Sequence, residues 1–182
     1  MAKNKTDLRV IKTNAIIKSE FMELLKKKPV EKITVKELAE NALINKGTFY
    51  LHYQDIYALY EEVIHDVITE FCDAIDFYED FFVSSVEFAT KLMNQLKLDP
   101  LEKFFPYLDP LSTKFPIPVI LADELKKKLY QLRKLPPSIT NDIKLEYVLL
   151  SLFTISFRYG QNHFDEAANA ISFVIDRVFA EK

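Results

Sequence analysis

The sequence is poor in glycine, with only Gly47 and Gly160 among 182 residues. Phosphate-binding loops and the nucleophile elbow of α/β-hydrolases need two or more glycines at fixed spacing. This chain cannot form those motifs. β-Hairpins also depend on residues with positive φ, a role that glycine usually fills. The shortage of glycine therefore predicts an all-α fold and argues against enzymes built on such loops.

Cysteine and long apolar runs are also scarce. A single cysteine, Cys72, excludes an intrachain disulfide and fits a reducing compartment. The charged N-terminus leaves no room for a secretory segment. The longest uncharged apolar run, Tyr147 to Phe157, has 11 residues, too few to span a bilayer. These absences predict a cytoplasmic protein that does not enter a membrane.

Charge is present but unevenly distributed. Residues 1–54 contain 11 basic and 6 acidic residues, a net charge of +5, whereas residues 55–182 contain 13 basic and 21 acidic residues, a net charge of −8. A basic N-terminal part on an acidic body is typical of a domain that meets a polyanion, although a solvated lysine-rich surface gives the same count. We predict two domains, a basic one over residues 1–54, which is a candidate to meet a polyanion such as DNA, and a second, helical one over residues 55–182.

Local signals in the first part predict a long helix, two short helices and a fourth long one. Apolar residues recur at helical spacing from Leu8 to Leu25, and Pro29 prevents continuation. Thr34-Val-Lys-Glu37 forms a capping box, Asn45 is an N-cap and Asp55 begins a helix to about Phe77. Two short helices behind a longer one indicate a helix-turn-helix, although a simple helical hairpin would look the same.

The remaining signals are also helical, and together they bring the chain to about nine helices. Gly160 is predicted to end the eighth helix with positive φ. The predicted helices of this part are Ser84–Leu98, Leu101–Tyr107, Val119–Lys134, Asn141–Tyr159 and Phe164–Ala180.

The segment from Lys46 to Tyr53 resembles part of a known protein family. Lys46-Gly-Thr-Phe-Tyr50, followed by His52-Tyr53, is similar to the signature of the N-terminal domain of the TetR family of bacterial regulators. The resemblance implies a homodimer that binds a palindromic double-stranded DNA operator and represses transcription until a small molecule binds the C-terminal domain. Phe49 should point into the core, and a glycine in the recognition helix permits close approach to DNA. The predicted DNA contacts are Arg9, Thr34, Lys46, Gly47, Thr48, Tyr50, Leu51, His52 and Tyr53.

Three positions depart from the family pattern. Leu43 stands where the turn normally has glycine, Leu51 replaces a commonly polar or basic residue, and Ile56 replaces a lysine that touches phosphate. Positive φ at Leu43 would cost about 1–2 kcal/mol, and Leu51 either meets a thymine methyl or stays exposed. These departures leave a second hypothesis open, a dimeric ligand-binding or protein-interaction module whose helix-turn-helix has lost DNA binding.

The C-terminal part holds 20 of the 24 aromatic residues, which form either a core or a ligand-binding cavity. Its last two helices are strongly apolar, which favours a four-helix dimer interface over burial within one chain. The effector is predicted to be apolar or aromatic, with candidate contacts Phe71, Phe82, Phe88, Asn94, Phe105 and Tyr107. The predicted interface residues are Val148, Leu152, Ile155, Tyr159, Ala167, Ile171, Ile175 and Val178.

Catalytic and metal-binding patterns are weak. His65 and Cys72 are seven residues apart on one predicted helix, but two ligands do not make a zinc site. The acidic and serine side chains have no fixed base partner. We therefore predict no catalytic residue, no metal site and no cofactor.

Overall fold

The computed structural model describes residues 3–98 and 116–180, and all regular structure in these two ranges is helical. The all-α prediction is therefore confirmed over these residues. The helices are α1 (Lys3–Leu25), a 3-10 turn (Val30–Lys32), α2 (Val35–Asn41), α3 (Lys46–Tyr50), α4 (Ile56–Asp73), α5 (Asp80–Val83), α6 (Ser85–Leu98), α7 (Ile117–Gln131), α8 (Ile139–Tyr159) and α9 (Phe164–Phe179).

The helix boundaries follow the local signals closely, with two exceptions. α4 ends at Asp73, before the predicted end near Phe77, and the short helix α5 follows it without having been predicted. The predicted helix Leu101–Tyr107 lies outside the described residues. Neither exception affects the elements that form the predicted helix-turn-helix.

Side-chain caps begin the recognition helix and the long helix after it. The Asn45 Oδ1 atom accepts a hydrogen bond from the Thr48 backbone N–H at 2.8 Å, and the Asp55 Oδ1 atom accepts one from the Ala58 backbone N–H at 2.8 Å. Each satisfies an amide that has no partner within its helix. Both predicted N-caps are confirmed.

The capping box at α2 forms only in part. The Thr34 hydroxyl accepts a hydrogen bond from the Glu37 backbone N–H at 3.2 Å, as predicted. The Glu37 carboxylate instead pairs with Lys28, with 2.5 Å between Oε2 and Nζ. Lys28 therefore connects the end of α1 to the start of α2.

The chain divides into two compact units, and the division falls within α4 between Asp66 and Val67. Among the described residues, unit 1 contains residues 3–66, and unit 2 contains residues 67–98 and 116–180. The functional boundary after residue 54 remains a prediction. The first part of α4 belongs to the same compact unit as α1, α2 and α3.

The core of unit 1 lies against the C-terminal half of α1. Ile17 and Phe21 have no exposed surface, and neither does Leu38 of α2. In the N-terminal half of α1, Leu8 and Ile11 are exposed. The helical spacing of apolar residues therefore predicted the helix correctly, but only its second half is buried within the chain.

Unit 2 is a helical body in which α9 packs against α6 and α8, and α8 packs against α7 and α9. This packing covers part of the predicted dimer interface within the single chain. Ile155 and Val178 are half-buried, and Tyr159 is exposed. Neighbouring helices of the same chain cover the strongest apolar faces of α8 and α9. The predicted interface residues that are buried within one chain are Val148, Leu152, Ala167, Ile171 and Ile175.

Gly160 does not have the predicted positive φ. Its φ is −61° and its ψ is −21°, an ordinary right-handed conformation. A Cβ atom at this position would lie 2.3 Å from the Ser156 carbonyl oxygen. Glycine is required here by close contact at the end of α8, and the prediction about its conformation was wrong.

The helices within residues 3–98 and 116–180 include none that is both long and apolar enough to cross a bilayer.

Candidate nucleic-acid interface

The inner side of α3 is anchored by Phe49, which is fully buried as predicted. Its ring lies 5.8 Å from the Tyr53 ring and 5.5 Å from the Tyr50 ring, the latter at 84°. Edge-to-face contacts of this kind add to the stabilisation from burial. A helix of only five residues is marginal alone, so this aromatic anchor fixes its position in unit 1.

The outer side of α3 consists of two pairs of residues one helical turn apart. Lys46 lies one turn before Tyr50, and Gly47 one turn before Leu51, and all four are exposed. Within the described part of the chain, Lys46 has no ion-pair partner. The exposed face thus combines a lysine ammonium, a tyrosine hydroxyl, a leucine side chain and a position with no side chain.

Two predicted contact residues use their hydroxyl groups as local caps. The Thr34 hydroxyl accepts from the Glu37 amide, and the Thr48 hydroxyl donates to Asn45 Oδ1 at 3.1 Å. Thr34 is exposed and Thr48 is half-buried. Their first role is to begin α2 and α3. The Thr34 O–H can still donate to a phosphate oxygen, whereas the Thr48 O–H is already donated and leaves only lone pairs for a contact with DNA.

Gly47 also has a role within the chain. A Cβ atom at this position would lie 3.2 Å from the Asn45 Oδ1 atom, which is closer than most such contacts. The glycine therefore leaves room for the N-cap, and it also keeps the exposed face of α3 low.

Tyr53 has a different environment from the other predicted contacts. Its ring is buried, and its hydroxyl donates to the Asn14 Oδ1 atom at 2.5 Å. Burial raises the pKa of Tyr53 to about 12. This hydroxyl joins α1 to the segment after α3, which opposes the predicted contact with DNA. The neighbouring His52 is only half-buried, and Arg9 is exposed on α1.

An ion pair that connects α1 with α4 was not predicted from the sequence. The Lys18 Nζ atom lies 2.5 Å from both Glu62 Oε1 and Asp66 Oδ2. Partial burial lowers the pKa of Lys18, but the hydrogen bonds to Asp66 and Glu62 outweigh it, and the pKa is raised. Sequence spacing could not show this contact because 44 and 48 positions separate the partners.

The turn between α2 and α3 has a defined geometry. The Ile44 N–H donates to the Ala39 carbonyl at 3.0 Å, and the Leu43 N–H donates to the Glu40 carbonyl at 3.3 Å. These two bonds form a Schellman motif, which places its C′ residue in the left-handed region. That residue is Leu43, with φ 53°. The turn keeps the shape that glycine would favour, although leucine occupies it.

The predicted ligand contacts that lie within the described residues differ in burial. Phe71 and Phe88 are fully buried, and the Phe88 ring packs at 90° on Phe81 with 5.2 Å between centroids. Phe82 is half-buried, and Asn94 is exposed, which opposes its predicted role of orienting a ligand inside unit 2. Phe105 and Tyr107 lie outside the described residues.

The residues considered for metal or nucleophilic chemistry offer little support for it. Within residues 3–98 and 116–180, no three histidine, cysteine or acidic side chains are grouped as a metal would need. Cys72 is buried, and burial raises the pKa of its thiol to about 12. A thiol with this pKa is protonated at neutral pH and is a poor nucleophile.

Comparison with known proteins agrees with the geometry of α2 and α3. Residues 21–63 match the sequence model described as bacterial regulatory proteins, tetR family. The chain is also 40% identical over 53 residues to the uncharacterized HTH-type transcriptional regulator YxbF of Bacillus subtilis (strain 168). That match covers 29% of this chain and 14% of the relative. With the capped, anchored α3 described above, residues 21–63 are therefore similar to the DNA-binding part of tetR-family regulators.

Proposed function

We propose that this chain is a DNA-binding regulator of the tetR family that acts as a homodimeric repressor and binds a palindromic operator through α3. We propose further that a small apolar or aromatic molecule releases it from DNA. The observation that carries the proposal is the outer face of α3. It presents a tyrosine hydroxyl and a lysine that has no ion-pair partner among the described residues, on a helix whose opposite side is anchored by Phe49.

The side chains on this face suit a DNA backbone and the major groove. A lysine ammonium and a tyrosine hydroxyl donate hydrogen bonds to phosphate oxygens, and such contacts set the orientation of a protein on the duplex. Gly47 lets α3 approach the groove closely because no side chain stands between the helix and the DNA. The basic excess of residues 1–54 adds long-range attraction to the same partner.

Exposed apolar residues on α8 and α9 support the homodimer. On α8 the exposed Ile143, Tyr147 and Phe157, with the half-buried Leu150 and the polar Thr154 between them, recur at alternating spacings of four and three residues, which is the pattern of a helix-packing seam. We assign Ala170 and Phe173, which are exposed on α9, to the same proposed seam. It replaces the buried residues that the sequence predicted. The residues of the α8 seam are Ile143, Tyr147, Leu150, Thr154 and Phe157.

Release by a ligand is supported by composition and connectivity. Unit 2 contains a cluster of aromatic rings that includes Phe77, Phe81 and Phe88, and such rings commonly line apolar ligand sites. The continuous helix α4 begins in unit 1 and ends in unit 2. A ligand that changed the position of α4 would thereby change DNA affinity, and DNA would change ligand affinity by the same factor.

The DNA-binding test uses two substitutions on the outer face of α3. A duplex enriched by the protein from a random library serves as the probe. Lys46→Ala removes a charge-assisted hydrogen bond and Tyr50→Phe removes only a hydroxyl. We expect each to weaken binding by about tenfold, measured by fluorescence anisotropy.

Lys91→Ala is the matched control, because it removes the same charge from an exposed position in unit 2. It should leave DNA affinity unchanged. Unchanged affinity in both α3 variants, or failure to enrich any duplex, would contradict the proposal. The second outcome would favour a ligand-binding or protein-interaction module that has lost DNA binding.

A further inference from the structure

Leu51 is the most exposed apolar side chain on the outer face of α3, with 86% of its surface accessible. A single exposed leucine is unremarkable on an ordinary protein surface. Its position makes this one informative. It is the C-cap residue of α3, with φ −74° and ψ −22°, so it continues the helical face that carries Lys46 and Tyr50.

The direction of the Leu51 side chain follows from helix geometry. Side chains on an α-helix lean towards the N-terminus and cover the surface of the preceding turn. The residue one turn before Leu51 is Gly47, and the Leu51 N–H donates to the Gly47 carbonyl at 3.2 Å. Gly47 has no side chain, so nothing from that position stands beside the leucine. Leu51 therefore presents an open apolar surface between the polar groups of α3.

The chemistry of the major groove then selects what Leu51 can recognise. Each base pair offers hydrogen-bond donors and acceptors there, and leucine can use none of them. The thymine C5-methyl is the apolar group on a base edge in this groove. A leucine placed against an unmethylated base edge would cover polar atoms without bonding to them, which lowers affinity.

We propose that Leu51 reads a thymine methyl group in each operator half-site and so determines part of the sequence specificity. This inference rests on the proposed function, since it requires α3 to enter the major groove. It assigns Leu51 a different role from Lys46 and Tyr50. Those two residues supply affinity for any sequence, whereas Leu51 discriminates between sequences.

The test removes the methyl group from the DNA and the leucine from the protein. The probe is the duplex enriched from a random library, remade with uracil in place of one thymine at a time at equivalent positions of both half-sites. At one such position, uracil should weaken binding by about fourfold per half-site. Leu51→Ala should weaken binding to the thymine duplex by a similar factor and should lose the difference between thymine and uracil.

Leu43→Gly is the matched control, because it removes the other highly exposed leucine of the helix-turn-helix. This variant should keep the difference in affinity between the thymine duplex and the uracil duplex. The inference is overturned if no thymine position is sensitive to uracil, or if Leu51→Ala keeps the full sensitivity. Lys46→Ala separates this failure from that of the proposed function. If Lys46→Ala weakens binding but uracil has no effect, DNA binding stands and only the role of Leu51 is lost.

Discussion

At the scale of single residues, the most unusual position is Leu43. Its φ of 53° places a leucine where the side chain crowds the backbone, and 93% of that side chain is exposed. The strain costs about 1–2 kcal/mol, and the exposed side chain gains little from burial in return. The turn keeps this conformation because both hydrogen bonds of the Schellman motif require it.

Leu43→Gly should therefore stabilise the protein. Glycine relieves the strain but loses more conformational entropy on folding, so we expect a net gain of about 0.5–1 kcal/mol in the free energy of unfolding. The measurement is urea unfolding, with an unchanged slope and a higher midpoint.

Leu43→Ala is the control, because alanine keeps the Cβ atom that causes the strain while removing the rest of the exposed side chain. It should leave the midpoint nearly unchanged. Equal stabilisation by alanine would show that the exposed side chain, rather than the positive φ, is the unfavourable feature.

At the scale of helices, α8 and α9 show which apolar face a partner can reach. Val148 and Ile171 are buried within one chain, whereas Tyr147 and Phe173 are each 60% exposed. We assign the proposed association of two copies to the seam that contains these exposed residues. The Cζ atom of the Arg177 guanidinium also lies 5.3 Å from the centre of the Phe173 ring. This contact holds the ring at the surface.

Charged substitutions in this seam should separate the dimer. Tyr147→Glu and Phe173→Glu each place a carboxylate where apolar surfaces would meet, at a cost of several kcal/mol when unpaired. Sedimentation velocity should show a dimer for the original protein and monomers for both variants.

Val83→Glu provides the comparison, because Val83 is an apolar residue on α5 that is 76% exposed and lies away from the seam in sequence. This variant should remain dimeric. A monomeric original protein, or a dimer that survives both seam substitutions, would refute the assignment of this face.

The helices also show what the sequence could and could not predict. Caps such as Asn45 and Asp55 act within one turn, so the starts of α3 and α4 were predictable. The buried face of α8 was not, since α8 is apolar around most of its circumference and only its neighbours decide which side is covered. The Lys18 contacts with α4 likewise depend on packing between distant segments.

The sequence did not determine the backbone conformation at two helix ends. At Leu43 the helix-turn-helix pattern favours positive φ but leucine disfavours it, so a turn of changed shape was an equal alternative. Gly160 gave the same signal, but glycine is needed there because of contact with the Ser156 carbonyl. A glycine after a helix indicates either a positive φ or a close contact with a backbone carbonyl, and the sequence alone does not distinguish the two.

At the scale of the whole molecule, the acidic charge of residues 55–182 offsets the basic excess of residues 1–54, so the proposed DNA binding depends on a small number of local contacts. The net charge is −3, so the protein as a whole gains little from nonspecific attraction to phosphate. We therefore propose that affinity comes from well-placed cations, and that α3 of each copy touches the DNA backbone through Lys46.

The most direct test is the dependence of DNA affinity on salt for the original protein and for Lys46→Ala. Affinity for the enriched duplex should fall linearly on a double-logarithmic plot between about 50 and about 200 mM salt. Loss of one phosphate contact per subunit should make the slope shallower by about 1.8 in a dimer, whereas Lys91→Ala should leave it unchanged. An affinity independent of salt, or an identical slope for Lys46→Ala, would contradict the account.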